Sequence, residues 1–398
     1  MKKTLISLLV TASLSQVALA SESTSEVEAL KQEIKNLTER LDKLENSSKA
    51  KKVIKKSVKE TKKKSFSDRI SFKADFRERY EIIDQEGKEE RDRNRLRLRA
   101  SMKMKVDEDL SFTLGVATGG DDPVSTNQTL DGGSSTKDIR LDLAHFDYKF
   151  SDSLSLTGGK MKNPFYKPGK TPAFWDSDLN PEGFALKYQS GATKGVLVGF
   201  SLEERKADSD TYMLGGQITH DFKMSGNSKV IAGVGYYNYT NLQGLETLYD
   251  DKPRGNSVDA NGNYINDFNI IELLVEYKTK LNGRPLSFFG NLHNNTAADD
   301  LNTSIVYGVN YGKVKAPGSW NLGLSYIDNE ADSVIGLFND SDFAGGNTDS
   351  KGMLLKYGYG ITKSLSFGLA YIDSEFGQSL VEQTDYNRIQ LDLKMKFK

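Results

Sequence analysis

From position 70 to the carboxyl terminus, apolar and polar residues alternate with a period of two. In the first such segment Ile70, Phe72, Ala74, Phe76, Tyr80 and Ile82 share one face, and Ser71, Lys73, Asp75, Arg77, Arg79 and Glu81 share the other. In the second, Leu96, Leu98, Ala100, Met102 and Met104 oppose Arg95, Arg97, Arg99, Ser101, Lys103 and Lys105. Alternation of this kind marks a strand with one apolar face. It recurs over 70–82, 94–106, 110–118, 138–150, 154–162, 183–189, 195–203, 211–222, 228–240, 267–280, 286–294, 303–311, 319–327, 351–361, 365–373 and 386–397. Short connections such as Asp107-Glu108-Asp109, Ser151-Asp152-Ser153, Asn282-Gly283-Arg284 and Thr362-Lys363-Ser364 alternate with long ones centred near Gly87, Thr126, Thr171, Lys206, Asn256, Ala297, Asp340 and Gln378. An even strand count with this rhythm predicts an all-β fold over 66–398: a sixteen-stranded antiparallel transmembrane β-barrel of the bacterial outer membrane, with short periplasmic turns and long outer loops. Two irregularities stand out. Glu78 falls on the lipid face of the first strand, where a subunit contact would cover it. The alternation also slips between Leu143 and Phe146, which predicts a bulge around Ala144-His145.

Upstream of the strands the period changes. Val27, Leu30, Ile34, Leu37, Leu41 and Leu44 are spaced as the a and d positions of three heptads, which predicts a short coiled-coil helix over 21–48. Val and Ile at a with Leu at d lean toward dimers. Arg40-Leu41-Asp42-Lys43-Leu44-Glu45, however, resembles the Arg-h-x-x-h-Glu pattern (h apolar) of short trimeric coiled coils. There Arg40 would cover the core and pair with Glu45 of a neighbouring helix, and a homotrimer is the reading taken. Residues 49–65 form a basic linker: Lys49 to Lys64 holds nine Lys and one Glu. It suits contact with peptidoglycan or anionic headgroups, or equally a solvated spacer. Residues 1–20 carry Lys2 and Lys3, a short apolar run and Ala18-Leu19-Ala20, the three parts of a secretory signal peptide. Export leaves the tail in the periplasm and excludes a nucleic-acid partner.

Composition agrees with a wall that is apolar outside and polar inside. Only 37% of the 398 residues are hydrophobic, whereas Gly numbers 35 and Tyr and Phe together 37. The absence of Cys excludes disulfides and thiolate metal sites. The near-neutral total of −1 hides an asymmetry. Lys plus Arg against Asp plus Glu is 13 against 8 over 21–65, and 39 against 47 from 66 onward. Of the acids, Asp250-Asp251, Asp299-Asp300, Asp340, Asp342 and Asp349 fall in long outer loops. There they are expected to bridge divalent cations to lipopolysaccharide phosphates.

The candidate chemistry is electrostatic. Arg77, Arg79, Arg95, Arg97 and Arg99 on two adjacent strands make a basic ladder on the lumen wall. Like charges facing across strands destabilise a sheet, so the ladder is expected to be solvated by water and anions. The third long loop carries Asn163-Pro164-Phe165-Tyr166 and Trp175-Asp176-Ser177-Asp178-Leu179-Asn180-Pro181-Glu182-Gly183. Its aromatics and prolines suit a loop folded into the barrel, offering Asp176, Asp178 and Glu182 at a narrowing. These residues, with Arg93-Asn94-Arg95-Leu96-Arg97-Leu98-Arg99, resemble the bacterial "putative porin" family and, more loosely, the sixteen-stranded general porins, over roughly residues 66–398. The resemblance implies a passive diffusion channel for small hydrophilic solutes and ions, with the inward third loop opposite the arginines as its pore constriction. His145, His220 and His293 lie on different strands without metal-ligand spacing. Asp259, Asn261, Asn263 and Asp267 echo a calcium loop but have Tyr264 and Ile270 where it needs Gly and Glu. No metal, cofactor or catalytic residue is therefore expected. The rival readings are a barrel hydrolase, for which no nucleophile and base are in evidence, and a structural tether or adhesin, which a conductance trace would distinguish.

Deleting residues 21–65 should loosen the trimer without unfolding the barrel, because the barrel closes its own hydrogen-bond ladder. Native mass measurement is the check. A monomer or dimer for the full mature chain would remove the trimer reading.

Overall fold

In a computed structural model, residues 66–397 are described together with five isolated positions upstream, Gln32, Glu33, Lys35, Asn36 and Glu39, all helical. The chain divides into two units, Met1–Ser67 and Asp68–Lys398. The signal peptide, the heptad seam and the basic linker lie outside the described residues.

The second unit is one closed antiparallel sheet. Its strands are β1 (Ile70–Gln85), β2 (Arg91–Lys105), β3 (Leu110–Thr118), β4 (Gln128–Thr129), β5 (Ile139–Lys149), β6 (Leu154–Lys160), β7 (Glu182–Ser190), β8 (Thr193–Glu203), β9 (Thr211–Lys223), β10 (Lys229–Tyr239), β11 (Phe268–Leu281), β12 (Arg284–Asn295), β13 (Thr303–Gly312), β14 (Trp320–Asn329), β15 (Ser350–Gly360), β16 (Leu365–Phe376) and β17 (Thr384–Phe397). Sixteen of these form the barrel. The two-residue β4 folds back from the second long loop and pairs with Arg95 and Leu96 of β2, beyond the reach of the shorter β3. Closure comes from β17 pairing with β1, from Ala74 opposite Phe397 to Gln85 opposite Tyr386. A closed ladder leaves no edge, so the strands satisfy one another's amides where lipid can accept no hydrogen bond.

The outward residues are those that the alternation assigns to lipid: Leu98, Leu114, Leu197, Ile218, Leu273, Tyr307, Leu391 and their row-mates are exposed on the protein surface. Glu78 stands among them, opposite Leu96 on one side and Leu393 on the other. The turn at Asn282-Gly283 links the directly paired Leu281 and Arg284, and both turn residues have positive φ (51° and 73°). That is the backbone a two-residue hairpin requires, and Asn-Gly adopts it at low cost. The bulge in β5 lies two residues upstream of its expected place. Gly115 faces Leu143 and Val116 faces Leu141, so Asp142 is the extra residue, not Ala144 or His145.

The lumen is not a uniformly wet tube. Four long loops fold into it and build an apolar core against the wall, the second of them contributing Val124. The third loop contributes Met161, Phe165, Phe174, Trp175 and Leu179; the fifth, between β10 and β11, Leu242, Leu248 and Tyr264; the seventh, between β14 and β15, Val334, Ile335, Leu337 and Phe338. The wall answers with Phe200, Met213, Tyr237, Tyr239, Phe268 and Ile270. Trp175 is the hinge of this cluster, stacked between Phe165 (5.7 Å, 29°) and Phe338 (5.7 Å, 20°). Each such buried side chain contributes roughly 1.5–3 kcal/mol, enough in sum to hold the loops down. Asn256 of the fifth loop fastens the seventh: its amide donates to the Ala331 and Val334 carbonyls at 2.7 and 2.8 Å and its oxygen accepts from Gly336 N at 2.9 Å.

Trp175→Ala should cost about 3–5 kcal/mol of loop docking, as aromatic-to-alanine changes in cores do. The barrel ladder does not use that side chain. Folded-barrel migration on unheated gels should therefore persist, while proteolytic cleavage within 161–181 accelerates. Unchanged cleavage would mean that Trp175 does not hold the loop.

Candidate functional site

The ladder of arginines becomes a set of cross-strand rows. Reading from β17 across β1 to β2, the rows are Gln390–Glu81–Arg93, Asp392–Arg79–Arg95, Lys394–Arg77–Arg97 and Lys396–Asp75–Arg99. Three of the four rows contain a carboxylate, and only Lys394–Arg77–Arg97 has none. Carboxylates, rather than water and anions alone, therefore offset most of the like-charge repulsion. Arg79 binds Asp392 at 2.6 Å. Arg97 and Arg99 reach Asp75 at 3.1 and 3.0 Å. Glu81, fully buried, is held by Arg388 at 2.6 Å, by Arg93 and, at 3.5 Å, by Arg95. Burying a carboxylate this deeply is tolerable only with such partners.

Two loops bring further carboxylates to this wall. Asp178 of the third loop accepts from Arg99 at 2.8 Å and Arg97 at 3.4 Å, and its second oxygen accepts from Thr126 Oγ1 at 3.0 Å. Asp342 of the seventh loop bridges Arg79 at 2.9 Å and Arg388 at 2.8 Å. The loops are tied to each other: Asp176 N donates to the Phe338 carbonyl at 2.8 Å, Ser341 N donates to Asp176 Oδ2 at 3.1 Å, and Ser341 Oγ donates to the Val124 carbonyl at 3.1 Å. On the opposite wall the third loop is pinned by Tyr166. Its N–H donates to Gln217 Oε1 at 2.7 Å, its carbonyl accepts from Gln217 Nε2 at 3.0 Å, and its hydroxyl donates to Glu276. Gly169, at φ +61°, lies flat on Phe289, where a Cβ would sit 2.3 Å from the ring.

Of the eight site residues expected from sequence, Arg77, Arg79, Arg95, Arg97, Arg99 and Asp178 come together. Asp176 is near but turns away from the arginines into the joint between the loops. Glu182 begins β7, is exposed and pairs with Lys160 at 2.8 Å, away from the arginine wall. Sequence reasoning missed Glu81, Asp342, Arg388 and Asp392 as partners. Arg388 and Asp392 lie on the inward positions of the last strand and were open to the same alternation argument. Asp342 is signalled by the apolar run Val334 to Phe338, as unusual in a solvent loop as the aromatics of the third loop. Asp340, Asp342 and Asp349, expected to meet cations outside, instead point inward or bind loop groups; Asp349, for one, accepts from Ser379 Oγ at 2.7 Å. Asp299 and Asp300 do remain exposed. Among the described residues no three His, Asp or Glu side chains gather as a metal site.

The loop carboxyls divide by environment. Burial and the neighbouring Asp340 and Asp178 push Asp176 well above the ordinary carboxylate range. Burial and Asp342 likewise raise Asp340. Burial acts on Asp178 and Asp342 too, but the guanidiniums of Arg97 and Arg99 for the first, and of Arg388 and Arg79 for the second, overcome it and hold both below that range. Two ionised acids thus face the wall, and a more reluctant pair sits behind them.

Against this wall lies a cavity of about 360 Å³, bounded by Arg77, Arg79 and Arg97, by Asp178 and Asp342, and by β15 to β17. A second, of about 460 Å³, lies under the third loop beside Lys187 and Lys194. In comparison with known proteins, the family model described as "Putative porin" matches residues 64–269 and 255–397. No curated protein matches the sequence. Among solved structures, the high-pH form of Pseudomonas putida OprB aligns with a TM-score of 0.57 at 15% identity, covering 82% of this chain and 94% of that one. A mutant of the Rh. blastica porin aligns at 0.51 and 11% (82% and 100% covered), and Salmonella typhi OmpF in complex with daunomycin at 0.50 and 14% (82% and 97%).

These environments set a pH dependence. A carboxyl whose folded-state pKa is raised stabilises docking below its unfolded value, roughly pH 4, and loses that contribution as pH rises through the raised value. Asp178 and Asp342 act in reverse, losing theirs as pH falls through their depressed values. In a Trp320→Phe background, Trp175 emission should shift to the red as pH rises from mildly acidic to alkaline. Asp176→Asn should suppress the shift. A shift that survives Asp176→Asn would assign it to another group.

Proposed function

Because the chain belongs to the "Putative porin" family, we propose that it is an outer-membrane porin in which small hydrophilic solutes and ions diffuse past a constriction made by two loops. The third loop presents Asp178 and the seventh presents Asp342 to an arginine wall on β1, β2 and β17. The observation that carries this reading is the pairing of both loop carboxylates with wall arginines, at 2.8 Å for Asp178 with Arg99 and 2.8 Å for Asp342 with Arg388. These contacts leave open space on the β15 to β17 side and fill the other side with aromatic rings. A solute passing there meets fixed charges within a Debye length, roughly 8 Å at physiological salt, so they outweigh the barrel's overall negative balance. The wall contributes more cations than it has partners for, which favours anions weakly. Three coiled-coil tails in the periplasm would tie three barrels together, with the basic linker free to meet peptidoglycan.

In planar bilayers under a salt gradient, Arg97→Ser with Arg99→Ser should move the reversal potential toward cations, because Asp75 and Asp178 then lose their counter-charges. Single-channel conductance should rise as the third loop loses its grip. An unchanged reversal potential and conductance would place the constriction elsewhere.

A further inference from the structure

Arg77 differs from the other wall arginines. It is 8% exposed and stands at the centre of the one row made only of cations, Lys394–Arg77–Arg97. Its neighbours have carboxylates of their own: Arg97 has Asp75 and Asp178, and Lys394 has Asp392 at 3.0 Å. Among the described residues Arg77 forms no ion pair. Its Nη2 donates to Asn127 Oδ1, and its Nε, like those of Arg95, Arg97 and Arg388, is buried with no partner. A sheet does not place three cations side by side without cost, and a buried donor without an acceptor adds to that cost. The arrangement is therefore short of an acceptor.

The row faces the 360 Å³ cavity. Gly358 and Gly368 line it, and the Lys394 ammonium lies over Gly368, where a Cβ would sit 2.9 Å from Nζ. Lys356 and Lys396 border the same cavity, again without an ion pair among the described residues. Five acids border it: Asp178, Asp342 and Asp392 are each already bound to an arginine, Asp176 accepts from the backbone N–H groups of Asp178 and Ser341, and Asp340 accepts from that of Asp342.

We propose that this cavity is a saturable binding site for small oxyanions, carboxylate or phosphate, lying in the solute path, with Arg77 and Lys394 as its principal donors. The inference rests on the porin reading. A guanidinium offers parallel N–H donors that match two oxygens of a carboxylate or phosphate, whereas chloride presents only a single acceptor atom to that fork. Lys356, Lys394 and Lys396 supply point charges around it. A site in a channel must hold its ion well enough to admit it and weakly enough to release it. The partial neutralisation of the row by Asp75, Asp178 and Asp392 serves that release.

The test is chloride current through the full mature protein in a planar bilayer, with inorganic phosphate or succinate added at neutral pH. Either anion should reduce the current saturably. The half-blocking concentration should rise roughly tenfold in Arg77→Gln, the expected effect of losing one charge-assisted hydrogen bond. Lys394→Gln should act in the same direction, and Lys187→Gln, beside the second cavity, should leave the block unchanged. Folded migration on unheated gels establishes that each variant retains its barrel. Chloride conduction without saturable block by either anion, or equal block in wild type and both site variants, overturns the site and leaves the porin reading standing. No chloride conduction in the wild type overturns both.

Discussion

The lumen depends on one electrostatic constraint. A closed barrel in lipid must turn its apolar residues outward, and the period of two then sends every alternate side chain inward. On β1, β2 and β17 those inward residues are mostly arginines and lysines. Packed on adjacent strands, they repel one another where protein excludes much of the water. Their nearest relief is local: Asp75, Glu81 and Asp392 share rows with them. That relief is incomplete, and Asp178 and Asp342 arrive from loops distant in sequence to extend it. The loops are thus held from both sides, by ion pairs on the arginine wall and by aromatic packing on the opposite one. The division of the lumen into a polar, open side and an apolar, filled side follows from that arrangement.

Charge pairs and apolar contacts play different parts. The stacked rings of Phe165, Trp175 and Phe338 and the staple at Asn256 supply the loops' adhesion and fix their path. Ion pairs in a partly buried site often return little net stability, since desolvation offsets attraction. Their effect here is positional: they decide where the loop tips meet the wall and, among the five ladder arginines, leave Arg77 without a carboxylate.

The wall was legible in the sequence because strand alternation is a local signal. Each strand could be read from its own residues, and the sixteen ranges agree with the structure to within a few positions. The bulge was displaced by two residues because Leu143, though apolar, points inward beside Asp142, so the slip in alternation shows only after the extra residue has passed. The site was half legible. Arginines on strands betray their face, and aromatics betray an inward third loop. The pairing of Asp178 with Arg99, the turning of Asp176 into the loop joint and the separation of Glu182 depend on non-local packing, which no period encodes. The inward seventh loop left a trace in Val334 to Phe338, but its carboxylate partner, Arg388, is set by barrel closure. The likeness to solved porins, at 15% identity or less, carries the fold alone; the charges that line this lumen are the chain's own.

On the proposed reading, Asp178 and Asp342 clamp two loops onto the arginine wall and thereby set the width of the channel. The most direct test is the single-channel conductance of the mature protein carrying Asp178→Asn and Asp342→Asn together, with barrel folding verified on unheated gels. A larger and noisier conductance than wild type is expected, as the loop tips leave the wall. A conductance equal to wild type in amplitude and noise would contradict it.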